Sequence, residues 1–208
     1  MAVRRVYVGL QWGDEGKGKI LDEDVYRCMQ KGDGKRTIVV RFQGGTNAGH
    51  TVYIRKEGVL TKFVTHATPT GTPNGADIGI GPQFALNPID FSNELMAARE
   101  LFGYNGRVLI SERTGVLFDY HKRLDEFSET KSESSVGTTK QGMGPFYKDN
   151  ANRTTRITLA DYVSNNFPDV LRRVLALKRR ELEEAGIWHD GYLEELLAKH
   201  EAVRKDLK

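Results

Sequence analysis

The chain has 208 residues, of which 38% are hydrophobic and 28% charged, with a formal net charge of +3. A chain of this length can bury a real core, and so small a charge does not argue for nucleic acid, since an anionic small ligand explains it equally well. Cys28 is the single cysteine, which excludes an intrachain disulfide and a cysteine-based zinc site; no signal segment or membrane-length apolar stretch stands out, so a cytoplasmic location is expected.

Val3, Val6, Tyr7 and Val8 form a β-branched and aromatic run that predicts a buried strand. It leads into Gln11–Lys19, where Gly13, Gly16 and Gly18 alternate with charged residues. Ile20, Leu21 and Val25 then recur at helical spacing, predicting a helix from about Gly18 to Gln30 that Gly32 and Gly34 break. Strand, glycine loop and helix together present backbone N–H groups and a helix N-terminus to phosphate. The spacing Gly13-x-x-x-x-Gly18-Lys19 fits a phosphate loop, except that Ile20 stands where Ser or Thr normally helps hold Mg²⁺. Asp14 is the candidate replacement ligand. A plain glycine turn would share the spacing, but two lysines and an acidic pair in one loop favour the phosphate reading.

Thr37–Phe42 predicts a second buried strand, ending in the glycine-rich turn Gln43–Thr51. A hairpin follows, Thr51–Arg55 and Val59–Thr65 around Lys56-Glu57-Gly58. Ala67–Gly75 is irregular, and Asp77–Gly81 is a short strand. Asn87-Pro88 starts a helix that turns Phe91, Leu95, Met96 and Leu101 inward and ends near Gly103. Arg107–Ser111 is another strand. Strands alternating with helices between residues 3 and 126 predict an α/β fold, a mostly parallel sheet flanked by helices in the manner of phosphate-loop NTPases. From Ser128 to Asn152 periodicity disappears, and Ser132–Pro145 has the glycine content of a ligand-closing loop. Pro168–Ala185 and Tyr192–Leu207 predict a C-terminal helical subdomain. In it, Glu183 and Glu184 lie four residues beyond Arg179 and Arg180, so the run Lys178-Arg179-Arg180 reads as an ion-paired, solvated face rather than a nucleic-acid patch. The expected division is an α/β nucleotide-binding core over 1–127, a glycine-rich loop segment over 128–158 and the helical subdomain over 159–208.

Glycine turns at the ends of the first two strands would lie side by side at the carboxyl edge of a parallel sheet, where such sheets bind ligands. The first turn supplies Asp14, Lys17 and Lys19, and the second Asn47 and His50. They offer a phosphate cradle, a carboxylate for metal or proton abstraction, and an imidazole for proton donation or anion stabilisation. His66, His121, His189 and His200 lack such company and read as structural.

Gln11–Lys19 and Gly44-Gly-Thr-Asn-Ala-Gly-His-Thr51 together closely resemble adenylosuccinate synthetase, the family that joins L-aspartate to IMP using GTP. Leu117-Phe-Asp-Tyr-His121, Gly137–Pro145 and Tyr147–Arg153 match in the expected order. The resemblance implies that Asp14 is the general base that frees O6 of IMP to attack the γ-phosphate. It also implies that Asp14 and the Gly49 carbonyl coordinate Mg²⁺, and that His50 is the acid, with Lys17 beside it in the catalytic set. Gly13, Asp14, Glu15, Gly16, Lys17, Gly18, Lys19, Gly49, His50 and Thr51 would line the nucleotide. Asp14, Lys17, Asn47, Ala48, Gly49, His50 and Thr139 would hold IMP, joined by Arg153 acting across a homodimer interface.

Gln141 stands where an arginine is common in that loop, and Thr46 occupies a variable position. Asp14 argues against the phage-type branch, which carries a smaller residue there. The resemblance covers nearly the whole chain but only the first half to two thirds of a family member, without the later elements for aspartate and guanine. The expectation is therefore a truncated adenylosuccinate synthetase with an incomplete sheet, without its own aspartate site and open to a complementing C-terminal polypeptide. The alternative is a non-catalytic nucleotide-binding or dimerisation half.

Overall fold

The computed structural model describes residues 3–11, 13, 15–31, 36–56, 58–131 and 137–207. In chain order the elements are α1 (Lys17–Gln30), β1 (Ile38–Gly45), β2 (His50–Lys56), β3 (Val59–Thr65), β4 (Asp77–Leu86), α2 (Pro88–Phe102), β5 (Val108–Ile110), β6 (Gly115–Val116), α3 (Asp119–Lys131), α4 (Met143–Ala151), α5 (Leu159–Val163), α6 (Phe167–Glu184) and α7 (Tyr192–Asp206). Strands β1, β4 and β5 run parallel in that order, and β6 pairs parallel with the end of β4. Strands β2 and β3 form the separate antiparallel hairpin that the turn residues predict.

Alternation along the strands decides which face of the sheet is covered. Ile78, Ile80, Val108 and Ile110 point to one side, where Phe91, Leu95 and Ala98 of α2 pack against them. The same cluster continues through Phe118, Tyr162, Phe167, Leu171 and Val174, so the C-terminal helices share one core with the sheet. Asn87 caps α2 by accepting from the N–H groups of Ile89 and Asp90, and Gly103 ends it in the left-handed conformation. Of the four residues expected inward, Phe91 and Leu95 are buried, whereas Met96 and Leu101 are half exposed and Ala98 takes their place.

The opposite face carries Ile38, Val40, Phe42 and Leu109, each 46–51% exposed. Val40 and Phe42 fold over Gly79 and Gly81, where an added Cβ would lie 2.9 Å from Val40 Cγ2 and 2.6 Å from Phe42 Cα. A depression of about 500 Å³ lined by Val40, Gly79 and Leu109 remains open on this side.

Two expectations are corrected. Residues 3–9 form no strand, and Val3, Val6, Val8 and Leu10 are 70–93% exposed. Strand propensity reflects fit to a pleated, half-buried surface. This segment has side-chain anchorage instead: Arg5 and Tyr7 both bond the Asp24 carboxylate on α1. The aperiodic stretch after Ser128 is not all loop, since α3 runs on to Lys131 and α4 follows. With nine residues and only Phe146 and Asp149 buried, α4 is too short to show a period.

His200 and Tyr162 tie α7 to α5, with 2.9 Å between Nδ1 and the hydroxyl. Burial pushes the His200 imidazole down to about 4. The unfolded chain therefore binds a proton that the folded chain rejects between about pH 6.5 and 4, and stability falls as pH drops through that window, by about 3 kcal/mol if His200 acts alone. Denaturant titrations across pH 7 to 4 should show this slope, and His200→Gln should flatten it. An unchanged acid limb in the variant refutes the assignment.

Candidate active site

The site is built on the first turn of α1. Gly16 (φ 79°) enters the helix in the left-handed conformation, and Ile20 N–H donates back to its carbonyl at 3.1 Å. The amides of Lys17, Gly18 and Lys19 precede that first helical bond and are free to meet an anion. The loop before them is braced internally: Glu15 accepts the Gln11 N–H at 3.0 Å and pairs with the Lys17 ammonium. The Lys17 hydrogen bond, with backbone donors, holds the Glu15 carboxyl down to about 2. Lys19 and Ile20 are exposed. Asp14, the expected base and metal ligand, lies outside the described residues.

The second turn leaves β1 through Gly44, which has φ 84°, and delivers His50 as the first residue of β2. Asn47, Ala48 and Gly49 are exposed on it, Thr46 is buried beneath, and Thr51 is half-buried. The His50 ring lies on Gly18, where an added Cβ would stand 2.8 Å from Nδ1 and 3.2 Å from the His50 Cβ. The two turns thus meet, although only the second sits at a strand end. Burial pushes the His50 imidazole down, and Arg41, Lys17 and His66 nearby push the same way.

A third segment closes on this pair. Met143, at the start of α4, packs against Gly45, and the Tyr147 hydroxyl donates to the Gly44 carbonyl at 3.4 Å. Those contacts set α4 beside the second turn. Thr139, in the loop before it, is exposed, and that loop is tied to α3, with Lys140 paired to Glu126 and the Gly137 N–H donated to Glu129. Gly142 opens the helix at φ 77° and donates its N–H to Asp125 at 2.9 Å. Arg153 is not brought in: it is exposed in the turn past the opposite end of α4.

Sequence reasoning missed three residues behind the second turn. The half-buried Arg41 guanidinium stands 4.8 Å over the Phe84 ring and donates to the carbonyls of His66 and Gly45. Burial pulls it down to about 10. Glu94 on α2 accepts from the N–H groups of His66, Ala67 and Thr68 at 2.7, 3.0 and 2.8 Å. His66 itself lies against Gly49. The one available signal was a lone charge inside the apolar run Ile38–Phe42.

Comparison with known proteins identifies the family. The family model described as adenylosuccinate synthetase matches residues 6–208. The chain belongs to the adenylosuccinate synthetase family. The adenylosuccinate synthetase of Acetivibrio thermocellus is 40% identical over 183 residues, covering 86% of this chain and 40% of the relative. The fully ligated adenylosuccinate synthetase structure from Plasmodium falciparum superposes with a TM-score of 0.71 at 29% identity, covering 95% of this chain and 44% of that one. A cyanophage S-2L succinoaminodeoxyadenylate synthetase shares the fold, with a TM-score of 0.53 at 19% identity. The chain therefore spans somewhat less than half the length of these adenylosuccinate synthetases. Among the described residues, no helix is long and apolar enough to cross a membrane, and no three His, Cys, Asp or Glu side chains gather as a metal site.

Proposed function

We propose that this chain carries the nucleotide-binding and phosphoryl-transfer half of an adenylosuccinate synthetase, a cytoplasmic enzyme that ligates IMP and L-aspartate with GTP and releases GDP and phosphate. The observation that carries the reading is the packing of His50 on Gly18, which joins the second turn to the amides of the first turn of α1. Asp14 removes the N1 proton of IMP. O6 then attacks the γ-phosphorus as its bond to the GDP oxygen breaks, and the aspartate amine displaces phosphate from C6. The α1 amides and Lys17 cradle the phosphates, while Asn47, Ala48, Gly49 and Thr139 hold IMP. His50, kept neutral in the free chain, donates a hydrogen bond to the transferring group, whose negative charge favours its protonated form.

The donor chemistry fits Mg²⁺, which keeps several waters and takes one or two protein oxygens besides phosphates, so a three-residue cluster is not required. Asp14 and the exposed Gly49 carbonyl would hold it, and it would neutralise phosphate charge. Arg153, solvent-facing at the far end of α4, suits a role across a homodimer interface. The exposed apolar face of Ile38, Val40, Phe42 and Leu109 suits coverage by the remaining family length, on a complementing polypeptide if not on this chain.

A second reading, a nucleotide-binding half without turnover of its own, is favoured by the 40% and 44% shares of the relatives' length. Incubating the purified chain with IMP, GTP, Mg²⁺ and aspartate, while following adenylosuccinate absorbance and GTP binding, separates the two. Turnover establishes the ligase. Binding without turnover establishes the half-site, and absence of both overturns the proposal.

A further inference from the structure

His66 has more polar structure built around it than a surface histidine needs. Its side chain is 48% exposed, yet its backbone is gripped from both sides. Glu94 takes its N–H together with those of Ala67 and Thr68, and the half-buried Arg41 donates to its carbonyl and, at 3.5 Å, to that of Thr68. The peptide run 66–68 thus lies between a carboxylate on its N–H side and a guanidinium on its carbonyl side. An anion and a cation are each satisfied through the same backbone, which fixes that backbone more firmly than either alone. The Glu94 carboxylate also stands 3.8 Å from His66 Nδ1, on the side of the ring away from Nε2.

Nε2 is directed at Gly49. A Cβ added there would lie 2.7 Å from it and 3.0 Å from Cδ2, so the imidazole edge rests on the backbone of the second turn. Gly49 is followed by His50, whose ring rests in turn on Gly18 at the start of α1. Glu94 on α2, His66 after β3, Gly49, His50 and Gly18 thereby form one line of contact running from the core to the first turn of α1. Arg41 anchors the same assembly a second time, through the Gly45 carbonyl at the end of β1.

We propose that His66 is a positioning residue of this site: held by Glu94 and Arg41, it buttresses Gly49 so that the Gly49–His50 turn stays closed against the phosphate-facing end of α1. The ring touches no reacting atom in this arrangement and acts through the turn. A half-exposed side chain adds little to global stability, so its removal should loosen the turn without unfolding the chain.

The test compares the wild-type chain with His66→Ala and His66→Gln, the latter keeping a planar polar group of similar reach. Amide hydrogen exchange on the unliganded chain is the first readout. In His66→Ala, peptides covering 46–51 should exchange about tenfold faster while those of α2 and α6 keep their protection, and His66→Gln should restore most of the difference. The second readout, which rests on the function proposed above, is GTP·Mg²⁺ affinity: a rise in Kd of about tenfold in His66→Ala, held to about threefold in His66→Gln. Unchanged exchange at 46–51 overturns the proposal, as does protection lost across the whole chain or a Gln variant no better than Ala. A wild-type chain that binds no GTP·Mg²⁺ counts against the proposed function, and the exchange comparison still decides the role of His66.

Discussion

Lys178→Met should lower the unfolding free energy of this chain by about 3–5 kcal/mol, the range for removing one partner of a buried ion pair. Lys178 is 4% exposed, and its ammonium donates to Asp149 at 2.9 Å and to Glu181 at 2.6 Å. His121 completes the cluster. Its Nδ1 accepts the Phe118 N–H at 2.9 Å, so its proton sits on Nε2 and is donated to Asp149 at 3.1 Å. Burial alone would raise the Asp149 carboxyl, but the hydrogen bonds from His121 and Lys178 outweigh it and leave the group below the ordinary carboxylate range. Methionine in place of Lys178 strands that charge among Tyr120, Phe146 and Val116. Urea denaturation of the variant measures the loss. Combining Lys178→Met with Asp149→Asn should recover about 2 kcal/mol, because no buried charge is then left unpaired. A single variant within about 1 kcal/mol of wild type would show that water reaches the carboxylate and compensates it.

His50→Asn should lower kcat by about 10² to 10³ while changing KM for GTP little, as expected for a donor whose hydrogen bond strengthens only in the transition state. The measurement belongs in whichever assembly turns over IMP, GTP and aspartate, this chain alone or with the rest of a family member supplied as a second polypeptide. Asparagine keeps a polar group over Gly18, so the packing that joins the turns survives while the ionisable donor is lost. A variant with unchanged kcat and a raised KM would make His50 a ground-state binding residue and remove it from phosphoryl transfer.

Local chemistry made much of this legible. The Asn87-Pro88 helix start, the hairpin around Gly58 and the span of α6 each follow from interactions within a few residues, and each stands where the pattern puts it. The two glycine turns were readable because glycine adopts the positive φ at Gly16 and Gly44 without the steric cost other residues meet. The run Lys178-Arg179-Arg180 shows where such reading stops. Arg179 and Arg180 pair with Glu183 and Glu184 as the i,i+4 spacing predicts, but Lys178, one step around the helix, turns inward to a carboxylate 29 residues away.

The amino-acid sequence by itself determined the family, the residue types of the two glycine turns, and the helices α1, α2, α6 and α7 with the β2–β3 hairpin, because these depend on short-range sterics and motif spacing. The tertiary structure decided which of those residues meet. It set Val3–Val8 outside the sheet, since a strand exists only where another strand offers its hydrogen bonds. It also set Arg41, His66 and Glu94 behind Gly49, through contacts spanning 25 and 28 residues that no local pattern encodes.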